Sequence, residues 1–430
     1  MQIVIYESLN KEQKKEILKR PAVKLGVEIS ASVSKIIEEV KNLGDTSLIK
    51  QAKEFDKAEI KSVKLSQKEL EKVSKAVPKE LKKAIKIAYE NIKKFHKAQI
   101  FKPLKVQTTK GVKCELVSRP IEKVGLYIPG GSAPLFSTTL MLAIPAKIAG
   151  CKKIVLASPA TINPAILYAA SLCGVDEIYQ MGGAGAIAAL AYGTKSVCKV
   201  DKIFGPGNAF VTEAKRQVSA DFEGAAIDMQ AGPSEVLIIA DEFARAKFIA
   251  SDLLSQAEHG ADSQVLLICL NENLAKEVLK EVQIQLEALP RKEIASKALE
   301  NSRIIIAKNL KEAVKISNLY APEHLIIQTK NPRVLLKDIQ NAGSVFLGEY
   351  SPESMGDYAS GTNHVLPTYA LTKTHSSLNL SDFTKKMTVQ ELSKKGFERL
   401  APVVEFMAEA ELLNAHKNAV SLRLESLKNE

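Results

Sequence analysis

Tryptophan is absent from this 430-residue chain, and aromatic residues of all kinds supply only 5% of it. Binding single-stranded nucleic acid by base stacking needs aromatic platforms, so the shortage counts against that class. The net charge of +11 invites a nucleic-acid reading, but its distribution does not support one. Between Pro78 and Gln99, Leu81, Ile85, Ala88, Ile92 and Phe95 form an apolar stripe while lysines fill the opposite face. That is a solvated helix surface, whose charge still helps to gather anionic ligands. No apolar run approaches the roughly 20 residues of a membrane span. Residues 1–8 form a strand-like run with neither a basic segment nor a cleavage site, so no export signal is expected. The five cysteines, at 114, 151, 173, 198 and 269, show no CxxC pairing and no disulfide spacing. They suit a reducing cytoplasm.

What remains is an ordinary globular composition, 46% hydrophobic and 25% charged, in a chain too long for one core. Residues 11–100 read as helices over 11–18, 31–55, 66–77 and 78–99, with Ser30 as the N-cap of the second. From about residue 124 short apolar strands alternate with helices. Strands are expected at 124–128, 153–157, 177–181, 200–204, 236–240, 264–270, 304–307, 325–328 and 344–347. Strand-helix alternation at this pace means parallel sheets covered by helices on both faces, and there is enough of it for two. No clean internal repeat relates the halves. From Lys385 onward the pattern returns to polar, helical material, read as a C-terminal extension.

Glycine-rich loops punctuate the α/β region. Gly183, Gly185 and Ala188 fit G-x-G-x-x-G/A after a strand, with Asp201 in the next strand-like run, a dinucleotide fingerprint in its usual setting. Tight helix packing explains the same alanine-glycine run equally well. Further loops, Ile128-Pro129-Gly130-Gly131-Ser132, Phe204-Gly205-Pro206-Gly207-Asn208 and Ala231-Gly232-Pro233-Ser234-Glu235, adjoin strands. Open α/β sheets bind ligands at strand carboxyl ends, where such loops gather.

Polar residues collect in four places. In Asp252-Leu253-Leu254-Ser255-Gln256-Ala257-Glu258-His259-Gly260, Gln256 and His259 are three apart and are expected on one face of a final helical turn. Ala321-Pro322-Glu323-His324-Leu325 sets an acid beside an imidazole where a helix gives way to a strand. Gly356-Asp357-Tyr358-Ala359-Ser360-Gly361-Thr362-Asn363-His364 carries a carboxylate and a histidine in a glycine-punctuated loop. Glu411 and His416 lie near the C-terminus. Each alone reads as a cap, a turn or a surface residue. Together they offer two imidazoles, a carboxylate and an amide for a metal, with a Glu-His pair left for proton transfer. His96 and His375 are read as residues without a site.

From about Val124 to His416 the chain resembles the histidinol dehydrogenase family. The resemblance rests on Leu126-Tyr127-Ile128-Pro129-Gly130-Gly131, on Lys202-Ile203-Phe204-Gly205-Pro206-Gly207-Asn208, and on Ile227-Asp228-Met229-Gln230-Ala231-Gly232-Pro233-Ser234-Glu235. It rests equally on Leu253–His259, Ala321–His324 and the loop of residues 356–364. It implies NAD-linked oxidation of L-histidinol through L-histidinal to L-histidine, the last steps of histidine biosynthesis. It implies a Zn2+ held by Gln256, His259, Asp357 and His416, which orients the substrate. Manganese or cobalt would suit the same ligands. Glu323 and His324 match the family's acid-base pair. Ser234, Glu411 and, less closely, His364 match positions near the substrate, and Tyr127 and Asn208 match NAD contacts. Gly185 stands where the family usually carries Gln, which removes a side-chain amide expected to touch NAD.

The resemblance further implies an intertwined homodimer whose C-terminal segment brings Glu411 and His416 to the partner's site. The fold expected is α/β, with two Rossmann-like parallel-sheet domains, a helical N-terminal region and a C-terminal extension. Residues 22–126 with 234–378 would carry the metal and catalytic groups, 127–233 would contact NAD, and 1–21 and 379–430 would be terminal helical extensions. A zinc hydrolase with Glu323 as general base is the alternative, disfavoured by the lack of a compact H-E-x-x-H. Neither nucleic acid nor membrane is expected as a partner.

Overall fold

A computed structural model describes residues 1–21, 27–130, 134–229 and 232–429. Gly131 and Ser132 of the first glycine loop, and Gln230 and Ala231 of the longest motif, lie outside the described residues. The chain divides into two compact units, Met1–Gln99 with Ile121–Asp382, and Ile100–Pro120 with Phe383–Glu430.

The first unit is built on two parallel sheets. In the larger, the spatial order is Gln2–Ile5, Arg303–Ile306, Gln264–Cys269, Glu235–Ala240, His324–Gln328, Ser344–Leu347. Its three central strands are buried at every position, which is why they read as nearly unbroken apolar runs. Val236, Ile238 and Ala240 pack on one face against Ile249, Leu253 and Ala257 of helix Ala246–Ala257. Leu237 and Ile239 pack on the other against Ala313 and Ile316 of helix Leu310–Tyr320.

The smaller sheet runs Glu177–Gln180, Lys153–Ser158, Lys123–Tyr127, Lys202–Phe204, Ala226–Ile227. Helix Gly183–Tyr192 is buried from Ala184 through Ala191. Its small side chains let Val33, Ile37 and Val40 of helix Val27–Leu43 come close, so the alanine-glycine run has a packing cause of its own.

The second unit holds an antiparallel sheet, Thr384–Leu392, Val112–Pro120, Leu104–Thr109, followed by helices Lys394–Ala410 and Asn414–Lys428. The chain after Lys385 is therefore not helical throughout. Thr384–Leu392 is exposed at most positions, so no hydrophobic alternation betrays it.

Two further expectations change. Residues 31–55 form two helices, Val27–Leu43 and Asp45–Phe55, because Gly44 takes the left-handed φ of 54° between them. Ser30 is not an N-cap; it lies inside the first of these helices and donates its hydroxyl to Glu213 Oε1 at 2.8 Å. All five cysteines are free thiols. Among the described residues, no helix is long and apolar enough to cross a membrane.

Asp252 is buried in helix Ala246–Ala257, where its Oδ2 accepts a hydrogen bond from Gln328 Nε2 at 2.7 Å. Burial pushes its carboxyl from the ordinary 3.8 up to about 7, which that single hydrogen bond only partly opposes. A folded-state pKa above the unfolded value means the native protein holds the proton more tightly. The stability gained is fully present below about pH 4 and is lost as pH rises through about 7. Each tenfold gain in proton affinity is worth about 1.4 kcal/mol. Asp252→Asn is therefore expected to flatten the fall in urea stability between about pH 4 and 7. An equally steep curve in the variant would assign the titration to another group.

Candidate active site

A cleft of about 1520 Å³ opens in the first unit. Tyr127, Gly182, Gly183, Pro206, Gly207 and Asn208 border it, each at or just past the carboxyl end of a strand of the smaller sheet. Ser234 and His259 border it from the larger sheet's side. There the geometry departs from the strand-carboxyl-end rule. Ser234 precedes strand Glu235–Ala240, so the larger sheet turns an amino end to the cleft. Glu323 and His324, which are not among the lining residues, stand at the same end of the sheet, at the start of His324–Gln328. Local chemistry enforces this. Ala321 takes a left-handed φ of 56° to end helix Leu310–Tyr320, Pro322 cannot continue it, and the chain enters the strand at once.

Glu323 and His324 both hang on the backbone of one residue, Glu235. The N–H of Glu235 donates to Glu323 Oε2 at 2.8 Å, and the carbonyl of Glu235 lies 3.0 Å from His324 Nδ1, placed to accept its proton. The strand register makes this possible by setting His324 opposite Val236. The Glu235 side chain is itself buried and held by the Arg20 guanidinium at both oxygens, with Oε1 also accepting from the Tyr369 N–H at 2.9 Å. Arg20 completes its fan on the Tyr320 carbonyl at 2.8 Å and the Tyr320 ring at 3.9 Å. Burial alone would lower the His324 pKa, but the nearby charges of Glu323 and Asp357 outweigh it and hold the imidazolium well above the ordinary range.

Gln256 is buried on the same side. Its Nε2 donates to Glu353 Oε2 at 2.7 Å and lies 3.3 Å from His324 Nδ1, and Ser255 Oγ holds Glu353 Oε1 at 2.5 Å. The carbonyl oxygen Gln256 Oε1 and the ring nitrogen His324 Nε2 have no hydrogen-bond partner although both are buried. Asp357 Oδ1 lies 3.5 Å from His324 Nε2. Burial would raise the Asp357 carboxyl pKa, and the charged His324 turns the balance downward. Gly356 lets helix Glu353–Tyr358 press on Phe346, whose ring a Cβ would meet at 2.7 Å, and Phe346 stacks on His324 with centroids 6.0 Å apart.

Helix Ala246–Ala257 ends between Gln256 and His259, with Gln256 buried and His259 exposed. His259 Nδ1 is engaged by the Ser255 carbonyl at 2.9 Å. That arrangement is common behind metal-binding imidazoles. His364 contacts the Asp357 carbonyl through Nδ1 at 2.7 Å and Thr138 Oγ1 through Nε2 at 3.0 Å, and burial lowers its pKa. His96, read from sequence as having no site, is fully buried and lies 3.3 Å from Asn363 Nδ2, next to His364. Glu411 and His416 belong to the second unit and are exposed.

On the cleft's other wall, Tyr127 is buried, its hydroxyl accepts from the Gly183 N–H at 3.0 Å, and burial pushes its pKa up to about 12. Asn208 is the N-cap of helix Ala209–Ala220, accepting from Phe210 N and Val211 N at 3.1 Å each. The preceding Gly205-Pro206-Gly207 turn is fixed from beneath by a buried ion pair. Asp228 accepts from the Gly205 N–H at 2.8 Å, while Lys215 holds both Asp228 and the Gly205 carbonyl. Asp201, offered as the acid of a dinucleotide fingerprint, stands at the strand's far end and accepts from the Lys123 N–H at 2.9 Å. It is structural, and Gly185 packs inside a helix.

Residues 18–424 match the family model for histidinol dehydrogenase. A histidinol dehydrogenase of Campylobacter jejuni (strain RM1221) is 72% identical over 428 residues, covering 100% of both chains. One from Vibrio cholerae is 59% identical over 427 residues, covering 99% of each. A crystal structure of histidinol dehydrogenase from Elizabethkingia anophelis has a TM-score of 0.96 at 49% identity, covering 100% of this chain and 99% of that one. The chain belongs to the histidinol dehydrogenase family. It is thus an NAD-dependent oxidoreductase, and the hydrolase alternative falls away.

In this histidinol dehydrogenase-family chain, sequence reasoning passed over Arg20, the Glu235 carboxylate and Glu353. Glu353 had a signal, since it lies four residues before Asp357 and so on the same helical face. Arg20 had none, because its partner is 215 residues away. Arg20→Met is expected to destabilise the protein by about 3–5 kcal/mol by stranding a buried carboxylate. Adding Glu235→Gln should recover most of that loss in urea unfolding. If the double variant is as unstable as Arg20→Met alone, the ion pair does not carry the cost.

Proposed function

We propose that the chain oxidises L-histidinol through L-histidinal to L-histidine, consuming two NAD and one water and releasing two NADH. The observation that carries this reading is the buried carbonyl oxygen Gln256 Oε1, which has no hydrogen-bond partner and lies beside the His324–Asp357 pair. Leaving a buried acceptor unmet costs about 1–3 kcal/mol, which a cation would relieve.

Gln256 Oε1 is the kind of atom a divalent cation accepts, although amide ligands to zinc are uncommon. Among the described residues no group of three His, Cys, Asp or Glu side chains is arranged around one metal. Gln256, His259 and Asp357 include only two side chains of those types, so the set that the resemblance implies, completed by His416, is compatible with that. When bound, zinc would act as a template that orients the substrate's polar groups. For NAD, Gly183 with φ 59° opens onto free space in the cleft wall, so the backbone there is bare to a ligand.

The chain's own groups account for the proton transfers. His324 Nε2 takes the alcohol proton as hydride leaves for NAD. Asp357 is one of the two carboxylates that keep His324 protonated, and a cation held by Asp357 would favour the neutral ring that a base requires. Glu323 activates the water that adds to the aldehyde, and His324 acts again as the second hydride leaves. Ser234 and Glu411 contact substrate, with His364 supporting Asp357 from behind. Tyr127 and Asn208 contact NAD from residues 127–233, while 22–126 with 234–378 carry the catalytic groups. The active form is a homodimer in which Glu411 and His416 serve the partner's site, and the setting is cytoplasmic.

Purified protein with zinc, NAD and L-histidinol is expected to form two NADH per histidinol, and chelation should abolish the signal. Absence of turnover in the zinc-replete sample would overturn the assignment. Mixing His416→Ala chains with Glu323→Gln chains should restore turnover that neither variant has alone, through one dimer site with both wild-type groups. A mixed dimer shown by mass spectrometry to form, yet inactive, would mean that each site is built within one chain.

A further inference from the structure

Gly185 is buried inside helix Gly183–Tyr192, and the space beside it is filled from another helix. A Cβ built on Gly185 would lie 2.0 Å from Gln51 Oε1, 2.9 Å from its Cδ and 3.1 Å from its Nε2. Gln51 Oε1 therefore points into the space a side chain on Gly185 would take, at the first turn of helix Gly183–Tyr192. Gln51 comes from helix Asp45–Phe55 and lines the same cleft as Tyr127, Gly183 and Asn208. Its Nε2 donates to Ser47 Oγ at 3.0 Å, one helical turn back, so the side chain is tethered. The helix is fixed at its far end as well, since Asp56 Oδ2 accepts from the Ala160 N–H at 3.0 Å.

We propose that Gln51 is a dinucleotide-contacting residue, seated by the missing side chain at Gly185, and that the two positions act as one unit. The proposal rests on the reading of this cleft as the NAD site. With one amide hydrogen given to Ser47 and Oε1 turned to Gly185, Gln51 still offers one N–H donor to the cleft. That suits an acceptor atom of the dinucleotide, such as a ribose hydroxyl oxygen or a base nitrogen.

The test is calorimetric titration of NAD into the zinc-loaded protein, independent of turnover, with thermal melting as the control for folding. Gln51→Ala is expected to weaken NAD binding about three- to tenfold, as for the loss of one neutral hydrogen bond. Gly185→Ala should weaken it similarly, because its methyl group displaces the amide. The combined Gln51→Ala/Gly185→Ala variant should be no worse than the weaker-binding single variant, since both changes remove one interaction. Gln51→Glu keeps the shape and the Ser47 contact, so it should melt like the parent yet bind NAD more weakly. Unchanged affinity in Gln51→Ala and Gln51→Glu, or additive losses in the double variant, would reduce Gln51 to packing and overturn the proposal while leaving the NAD site intact. A parent that fails to bind NAD at all would overturn the cleft assignment together with it.

Discussion

The backbone of Glu235 is the fixed point about which Glu323 and His324 are set. Its N–H and carbonyl face the neighbouring strand and hold Glu323 and His324, one each. A backbone group in the middle of a packed sheet cannot rotate, so the acid and the base inherit its rigidity. The carboxylate on the same residue is pinned by Arg20, which ties the N-terminal segment to the same strand end. Removing two charges from water is costly, and the fan of hydrogen bonds around Arg20 is what offsets it. The bridge thus specifies one arrangement of chain segments more than it adds net stability.

The two sheets meet the cleft with opposite ends, carboxyl ends from the smaller and amino ends from the larger. Glycine loops from the first expose bare backbone at Gly183, where a large ligand can approach. Charged and imidazole groups cluster at the amino ends of the second. Lys215 and Asp228 under the Gly205 turn, and Glu353 behind Gln256, are buried polar groups that orient their neighbours.

Much of this was legible along the chain. Parallel strands buried on both faces must be apolar at nearly every position, so the larger sheet's strands stand out as runs such as Val236-Leu237-Ile238-Ile239-Ala240. Strand Thr384–Leu392 escaped notice because it is wet on both sides, and its period carries no hydrophobic signal. Gln256 and His259 were found as a pair, but the helix end between them, which buries one and exposes the other, could not be read from a spacing of three.

By itself the sequence determined the strand-helix alternation, the two-sheet core and the acid-imidazole pair at residues 323–324, because these follow from local pattern and contiguous motif. Tertiary structure alone decided which atoms lie buried without partners, that Arg20 reaches Glu235, and that Gln51 fills the space over Gly185. Such contacts join residues more than a hundred positions apart, and each depends on where rigid sheets bring distant backbone together. No periodicity encodes that distance.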